Sequence, residues 1–159
     1  MIMPHRIVLA LGSNLGDSTV ILGQAIEEIG DFVTGIRRSS NYRTEPVGGP
    51  AQPDFLNVVI LGVTELAQEE LLSKLQGIEV RHGRVRAERW GARTLDIDLI
   101  DFDSTPWLSA TLTLPHPRAH QRAFVLIPWN EVDPAAVLVG SGTVKSLLET
   151  LDSSGVVRQ

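Results

Sequence analysis

The chain has 159 residues, 43% hydrophobic and 21% charged, with no cysteine. That composition describes one globular domain, expected to span residues 1–159, and excludes disulfide scaffolds, thiolate metal sites and cysteine nucleophiles. Nineteen acids against fourteen bases give a net charge of −5, which argues against a broad cationic surface for nucleic acid or anionic lipid. No apolar run approaches the roughly 18 residues of a membrane span, so a cytoplasmic protein without membrane or nucleic-acid partners is expected.

In chain order, Arg6–Leu11 reads as a buried strand that ends at Gly12. Gly12–Asp17 reads as a structural turn with good capping residues. It stands where phosphate loops stand, but it lacks the GK[ST] ending of a P-loop and the GxGxxG of a dinucleotide fold. A helix follows near Thr19–Ile29, with Leu22, Ala25, Ile26 and Ile29 on one face. Residues 32–43 alternate loosely into a second strand ending at Tyr42-Arg43. Thr44–Pro53 holds three prolines and two glycines and reads as an irregular loop. Phe55–Val63 is a third strand, and Gln68–Val80 a second amphipathic helix with Leu71, Leu75 and Ile78 inward. Thr94–Phe102 is a fourth strand. The tail contains an extended piece at Thr111–Leu114, a proline turn, helical stretches near Arg122–Asp133 and Thr143–Leu151, and a polar, frayed end at Ser153–Gln159. Two split β-α-β units in this order predict a ferredoxin-like α+β sandwich, an antiparallel sheet with helices packed on one face.

The bases are unevenly placed. Twelve of the fourteen are arginines, and Arg81, Arg84, Arg86, Arg89 and Arg93 fall within thirteen residues where Glu88 is the only acid. A charge run of this kind is usually a solvated loop. Arginine in place of lysine, with Trp90 among them, also fits a lid over a polyphosphate, because the guanidinium grips phosphate through two parallel hydrogen bonds. Immediately downstream, Asp96-Ile97-Asp98 places two carboxylates on one face of a strand and Leu95 and Ile97 on the other. Carboxylates at that spacing can converge on two cations, and hard oxygen ligands point to magnesium. Taken alone, the pattern fits a solvated edge strand equally well, with Asp101 and Asp103 extending it. Gln76 and Glu79 are neighbours on the second helix, which is also what an ordinary polar face looks like. His116, between two prolines, reads as a loop histidine or as a ligand. Phe55, Trp90 and Phe124 each stand beside a polar motif, where core packing is the simpler reading for any one of them.

As a set, these residues resemble a known family. Gly12-Ser13-Asn14-Leu15-Gly16, Tyr42-Arg43-Thr44, Gln52-Pro53-Asp54-Phe55-Leu56-Asn57, Gly83-Arg84-Val85-Arg86, Arg89-Trp90-Gly91, Arg93-Thr94-Leu95-Asp96-Ile97-Asp98, Leu114-Pro115-His116-Pro117 and Arg122-Ala123-Phe124-Val125 look like the 6-hydroxymethyl-7,8-dihydropterin pyrophosphokinases of folate biosynthesis. The resemblance spans about residues 6–134. It implies a ferredoxin-like fold and transfer of the terminal pyrophosphoryl group of ATP to the pterin hydroxymethyl oxygen, releasing AMP. It also implies two magnesium ions on Asp96 and Asp98. Arg84 and Arg93 would contact phosphates, with Arg89 and Trp90 on a closing loop. Gln76, Glu79, Thr113, His116 and Arg122 would face the nucleotide, and the backbone of Leu99 would read adenine. Phe55 and Phe124 would sandwich the pterin, Asn57 would bond its edge, and Thr44 and Val47 would add backbone contacts; Trp90 and Asp96 would also border it. Ala92 stands where the family often has proline, Phe55 where tyrosine is common, and Glu45 where proline is common; the loop between Arg86 and Arg89 is a residue shorter than in some members.

Two other readings fit parts of the pattern: a two-metal nucleotide hydrolase, and a non-catalytic ferredoxin-like nucleotide- or RNA-binding module. Paired aspartates beside an arginine lid argue against a pure binding module, and the surface aromatics of an RNA-binding sheet are absent. ATP and the pterin are the expected partners, and the chain is expected to be a monomer.

Overall fold

The computed structural model describes residues 3–46, 49–83 and 94–159. The apolar run at the start forms β1 (His5–Ser13), which extends through Gly12 and Ser13, so the turn begins two residues later than expected. Asp17 caps α1 (Ser18–Ile29), its carboxylate accepting from Val20 N at 3.3 Å. Leu22, Ala25 and Ile29 are its buried stripe. The second strand is broken into β2 (Thr34–Arg38) and β3 (Tyr42–Thr44) rather than running continuously. Ser39 stitches the break to β4 (Phe55–Thr64): its N–H donates to Val59 O at 2.9 Å, and its hydroxyl accepts from Val59 N at 3.0 Å.

Helix α2 (Gln68–Arg81) carries Glu69 and Glu70 in its first turn and Arg81 in its last, the signs that suit the helix dipole. Strand β5 (Asp96–Phe102) follows. A small hairpin, β6 (Trp107–Leu108) and β7 (Thr113–Leu114), is tied to α2 by Glu69, whose carboxylate accepts from the Trp107 indole, the Ser109 hydroxyl and the Thr111 hydroxyl. Next come α3 (Ala123–Val132), a short hairpin of β8 (Val137–Leu138) and β9 (Gly142–Thr143), α4 (Val144–Leu148) and β10 (Val156–Arg158).

The main sheet is antiparallel, in the order β10-β3-β4-β1-β5, with β2 also paired to β4. With β2 and β3 counted as one strand, the order is that of two interleaved β-α-β units, the ferredoxin-like arrangement expected. Two features differ from expectation. Helices cover both faces: Leu9, Leu11, Ile60, Ile97 and Leu99 pack against α1 and α2, whereas Val8, Val59, Leu61 and Ile100 pack against Val125, Leu126 and Trp129 of α3. Strands buried on both sides read as continuous apolar runs, which is what β1 and β4 show. The C-terminal end is a strand rather than a frayed tail, because β10 pairs with β3 along Val156↔Thr44, Val157↔Arg43 and Arg158↔Tyr42.

Candidate active site

On the α3 face the sheet divides in two. One half lies under α3. Beyond it, the register lines up Asn57, Gly12 and Asp96 on adjacent strands β4, β1 and β5, with Ala10 beside Asp98 one pleat further on. Residues paired across a ladder point the same way, so Asn57, Asp96 and Asp98 share this face, as do Phe55 and Thr44, paired at the end of β4 and β3. Neighbouring strands lie ~4.8 Å apart, so Asn57 and Asp96 stand roughly 10 Å from each other across the bare backbone of Gly12.

At the β5 end, Asp96 and Asp98 are both half-buried, and Leu95 and Ile97 face the opposite core, as their alternation requires. Arg122, which caps α3, brings Nη1 to 3.4 Å from Asp98 Oδ2. Its guanidinium lies 5.5 Å from the centre of the Phe124 ring, within cation–π range. His116 Nε2 is 3.9 Å from the same Asp98 oxygen. The His116 backbone N–H donates to Ile100 O at 2.9 Å, which ties this loop to β5. Its Nδ1 accepts from Arg118 N at 3.2 Å, so the neutral ring carries its proton on Nε2, towards Asp98. Burial, reinforced by the charge of Arg122, pushes the imidazole down to about 4 against the opposing pull of Asp96.

At the β4 end, Asn57 is 7% exposed. Its Nδ2 donates to Thr44 Oγ1 at 2.5 Å. Phe55 stands two residues before it on the same face, partly exposed. The proline-rich loop is anchored from β1's end by Asn14, whose Nδ2 donates to Gln52 Oε1 at 2.9 Å and to Pro53 O at 2.8 Å.

The structure therefore brings together Thr44, Phe55, Asn57, Asp96, Asp98, His116, Arg122 and Phe124. It places others apart from them. Gln76 is exposed on α2, behind the sheet from Asp96. Glu79 on the same helix is 4% exposed, and its carboxylate accepts from Ile97 N at 2.8 Å; it therefore fixes β5 directly between the two aspartates. Leu99 is a core side chain at 3% exposure. Because Ile97 N points away from β1 to Glu79, the alternation of an antiparallel ladder turns the Leu99 backbone to the same side of β5. Thr113 is exposed on β7, opposite Leu108. Val47, Arg84, Arg86, Arg89, Trp90 and Arg93 lie outside the described residues.

Three residues of this region carry no site signal of their own in the sequence. Gly12 stands in a turn-like stretch, yet it separates Asn57 from Asp96. Asn14 and Gln52 stand in motifs with no assigned role, yet they hold the proline loop to the end of β1. The signal for Asn14 was its place between two glycines after a buried strand; nothing local marks its partner 38 residues away.

As ligands for magnesium, Asp96 and Asp98 offer hard oxygens on one face. Among the described residues no group of three or more His, Cys, Asp or Glu side chains converges. A magnesium ion held by these two carboxylates would take further ligands from phosphate oxygens and water.

An antiparallel ferredoxin-like sheet that carries, beyond α3, paired carboxylates, an arginine and two aromatic rings has the chemistry to take a flat ring beside an anionic ligand. Residues 8–134 match the family described as 7,8-dihydro-6-hydroxymethylpterin-pyrophosphokinase, HPPK, and the chain belongs to that family. It is 42% identical over 156 residues to the 2-amino-4-hydroxy-6-hydroxymethyldihydropteridine pyrophosphokinase of Methylorubrum extorquens, covering 96% of this chain and 98% of that protein. It is 38% identical over 143 residues to the pyrophosphokinase of the same name from Haemophilus influenzae, covering 89% of each. Among solved structures, HPPK-DHPS of Plasmodium falciparum superposes with a TM-score of 0.74 at 15% identity, covering 94% of this chain and 42% of the other, so this chain spans less than half of that one. That likeness confirms the fold. The chain is thus an ATP-dependent diphosphotransferase of folate biosynthesis. No helix of the described residues is long and apolar enough to cross a membrane.

Proposed function

We propose that the chain transfers the terminal pyrophosphoryl group of ATP to the hydroxymethyl oxygen of 6-hydroxymethyl-7,8-dihydropterin and releases AMP. The observation that supports this most is the single row Asn57–Gly12–Asp96, which puts the residues assigned to the ring and those assigned to the phosphates on one face, roughly 10 Å apart.

In this reading the pterin lies over the Gly12 end, its faces against Phe55 and Phe124 and its edge on Asn57. Flat heterocycles favour aromatic faces plus a few fixed polar groups. Asp96 and Asp98 hold two magnesium ions, which when bound supply charge neutralisation for the triphosphate. Arg122 and neutral His116 flank Asp98 and orient phosphate oxygens. Arg84, Arg89 and Arg93, with Trp90, close over the nucleotide. The edge of β5 away from β1 offers the Leu99 backbone to adenine, and Gln76 and Thr113 are assigned to the nucleotide from beyond that edge. Glu79 acts on the nucleotide end by holding Ile97. The pterin hydroxyl oxygen bonds to the β-phosphorus as the bridge from that phosphorus to the α-phosphate breaks; AMP leaves with the bridging oxygen, and the hydroxyl proton passes to water. Such transfer is governed by positioning and charge stabilisation, so no protein nucleophile is required.

Incubation with ATP, magnesium and the pterin tests the proposal. AMP and a diphosphorylated pterin in equal amounts are expected. ADP or free phosphate with the pterin unchanged would overturn it and favour a nucleotide hydrolase.

A further inference from the structure

We infer that Gly12 and the Thr44 hydroxyl are positioning residues that together set which way the Asn57 amide faces, and so fix an acceptor, Oδ1, for a hydrogen-bond donor on the edge of the bound ring. The inference rests on the reading of this end as the pterin site and assigns work to two residues that touch Asn57 from opposite sides.

Three observations carry it. First, an asparagine amide has two orientations that differ only in which end is donor and which acceptor. Here Nδ2 is committed, donating to Thr44 Oγ1 at 2.5 Å, so Oδ1 faces away from Thr44. Second, Oδ1 faces Gly12. A Cβ at position 12 would stand 2.9 Å from it, closer than side-chain carbons come to an oxygen, and 3.8 Å from the Phe55 ring. The slot that receives Oδ1 exists because residue 12 has no side chain. The glycine's φ lies outside the left-handed region, so the backbone does not demand it; the space above it does. Third, Asn57 is 7% exposed, and among the described residues nothing donates to Oδ1. An acceptor held in one orientation beside an aromatic ring, over bare backbone, suits the N–H of a flat heterocycle.

Losing either support frees the amide to rotate, or pushes it off its position, and the ring then meets a donor or a gap. The effect is therefore confined to pterin binding and passes through Asn57. Gly12→Ala, Thr44→Val and Asn57→Ala are compared with the doubles Gly12→Ala/Asn57→Ala and Thr44→Val/Asn57→Ala. Calorimetry measures affinity for the pterin in the presence of a non-hydrolysable ATP analogue and magnesium, and separately for the analogue. The expected result is a roughly tenfold weakening of pterin binding by each single substitution, the scale of one well-made hydrogen bond. Analogue affinity should stay within about twofold, and the added loss in the Asn57→Ala background should fall below about twofold. Thermal midpoints identify any variant that fails to fold; if Gly12→Ala does, the Thr44→Val cycle decides alone. Equal losses with and without Asn57, unchanged pterin affinity, or parallel loss of analogue affinity would overturn the inference while leaving the substrate assignment intact. A native protein that binds no pterin would overturn the substrate assignment itself.

Discussion

Arg122 Nη1 stands 3.4 Å from Asp98 Oδ2, so the cap of α3 reaches a carboxylate at the start of β5. The contact joins the two elements that flank Asp96 and Asp98 on this face of the sheet. It also leaves the remaining guanidinium N–H groups for other anions, since one Arg carries five donors. Asp96→Asn and Asp98→Asn should each lower turnover by on the order of 100-fold or more, the scale of removing one preorganised electrostatic group. Neither carboxylate is deeply buried, and an asparagine keeps a carbonyl oxygen that can accept from the same donors. The thermal midpoint should therefore change little. Near-native turnover in both variants would remove these carboxylates from the chemistry.

Glu79 tests a different claim, that a helix behind the sheet holds the aspartate strand in place. Glu79→Ala leaves the Ile97 N–H buried and unpaired. The expected cost is about 1–3 kcal/mol, a fall of several degrees in thermal midpoint for a domain of this size. Glu79→Gln keeps a carbonyl acceptor and should cost less. Equal midpoints for the alanine variant and the native protein would show that the bond carries no stability.

The chain has a single tyrosine, which makes its titration unambiguous. Burial, then the hydrogen bond donated to Glu131 Oε1 at 2.6 Å, push the Tyr42 hydroxyl up to about 12. A raised folded-state value means that the folded protein keeps a proton the unfolded chain has lost. This contribution to stability is complete below pH ~10 and disappears as pH rises from ~10 to about 12. Tyrosinate absorbance should show a midpoint near 12 in the native protein. In Glu131→Ala the midpoint should fall but remain above 10, because burial is the larger cause. A native midpoint at 10 would contradict the buried contact.

The same glutamate binds the C-terminus. Its carboxylate accepts from Ser40 N at 3.1 Å and from the Ser40 hydroxyl at 3.0 Å, and lies 3.7 Å from Arg158 Nη2. Gln159 N donates to Asn41 O at 2.9 Å. Ending the chain at Gly155 removes β10 and exposes the edge of β3, the strand that carries Thr44. Stability should fall by on the order of 1–3 kcal/mol, as two or three net hydrogen bonds are lost. Denaturant unfolding measures it; an unchanged midpoint would mean that the terminal strand is dispensable.

Much of this was legible in the sequence because it is local. The period of two in Leu95-Asp96-Ile97-Asp98 determined which side each residue faces, and the stripes Leu22-Ala25-Ile29 and Leu71-Leu75-Ile78 placed two helices against one core. The second covered face was signalled more weakly, by strands such as Val58-Val59-Ile60-Leu61 that are apolar at every position. What escaped depends on contacts between distant residues. Ser39-Ser40-Asn41 breaks a strand that Ser39 repairs through Val59. Val156-Val157-Arg158 is too short to announce a strand until β3 is beside it. Gly12 looked like part of a turn because its meaning lies in the amide of Asn57, 45 positions away in the sequence but adjacent in the sheet.

The most direct measurement of the central claim is the mass of the pterin product formed with ATP and magnesium, followed together with the nucleotide product. The account predicts a pterin carrying two added phosphoryl groups and one AMP for each. A pterin carrying a single phosphoryl group with ADP, or an unmodified pterin beside hydrolysed ATP, would contradict it.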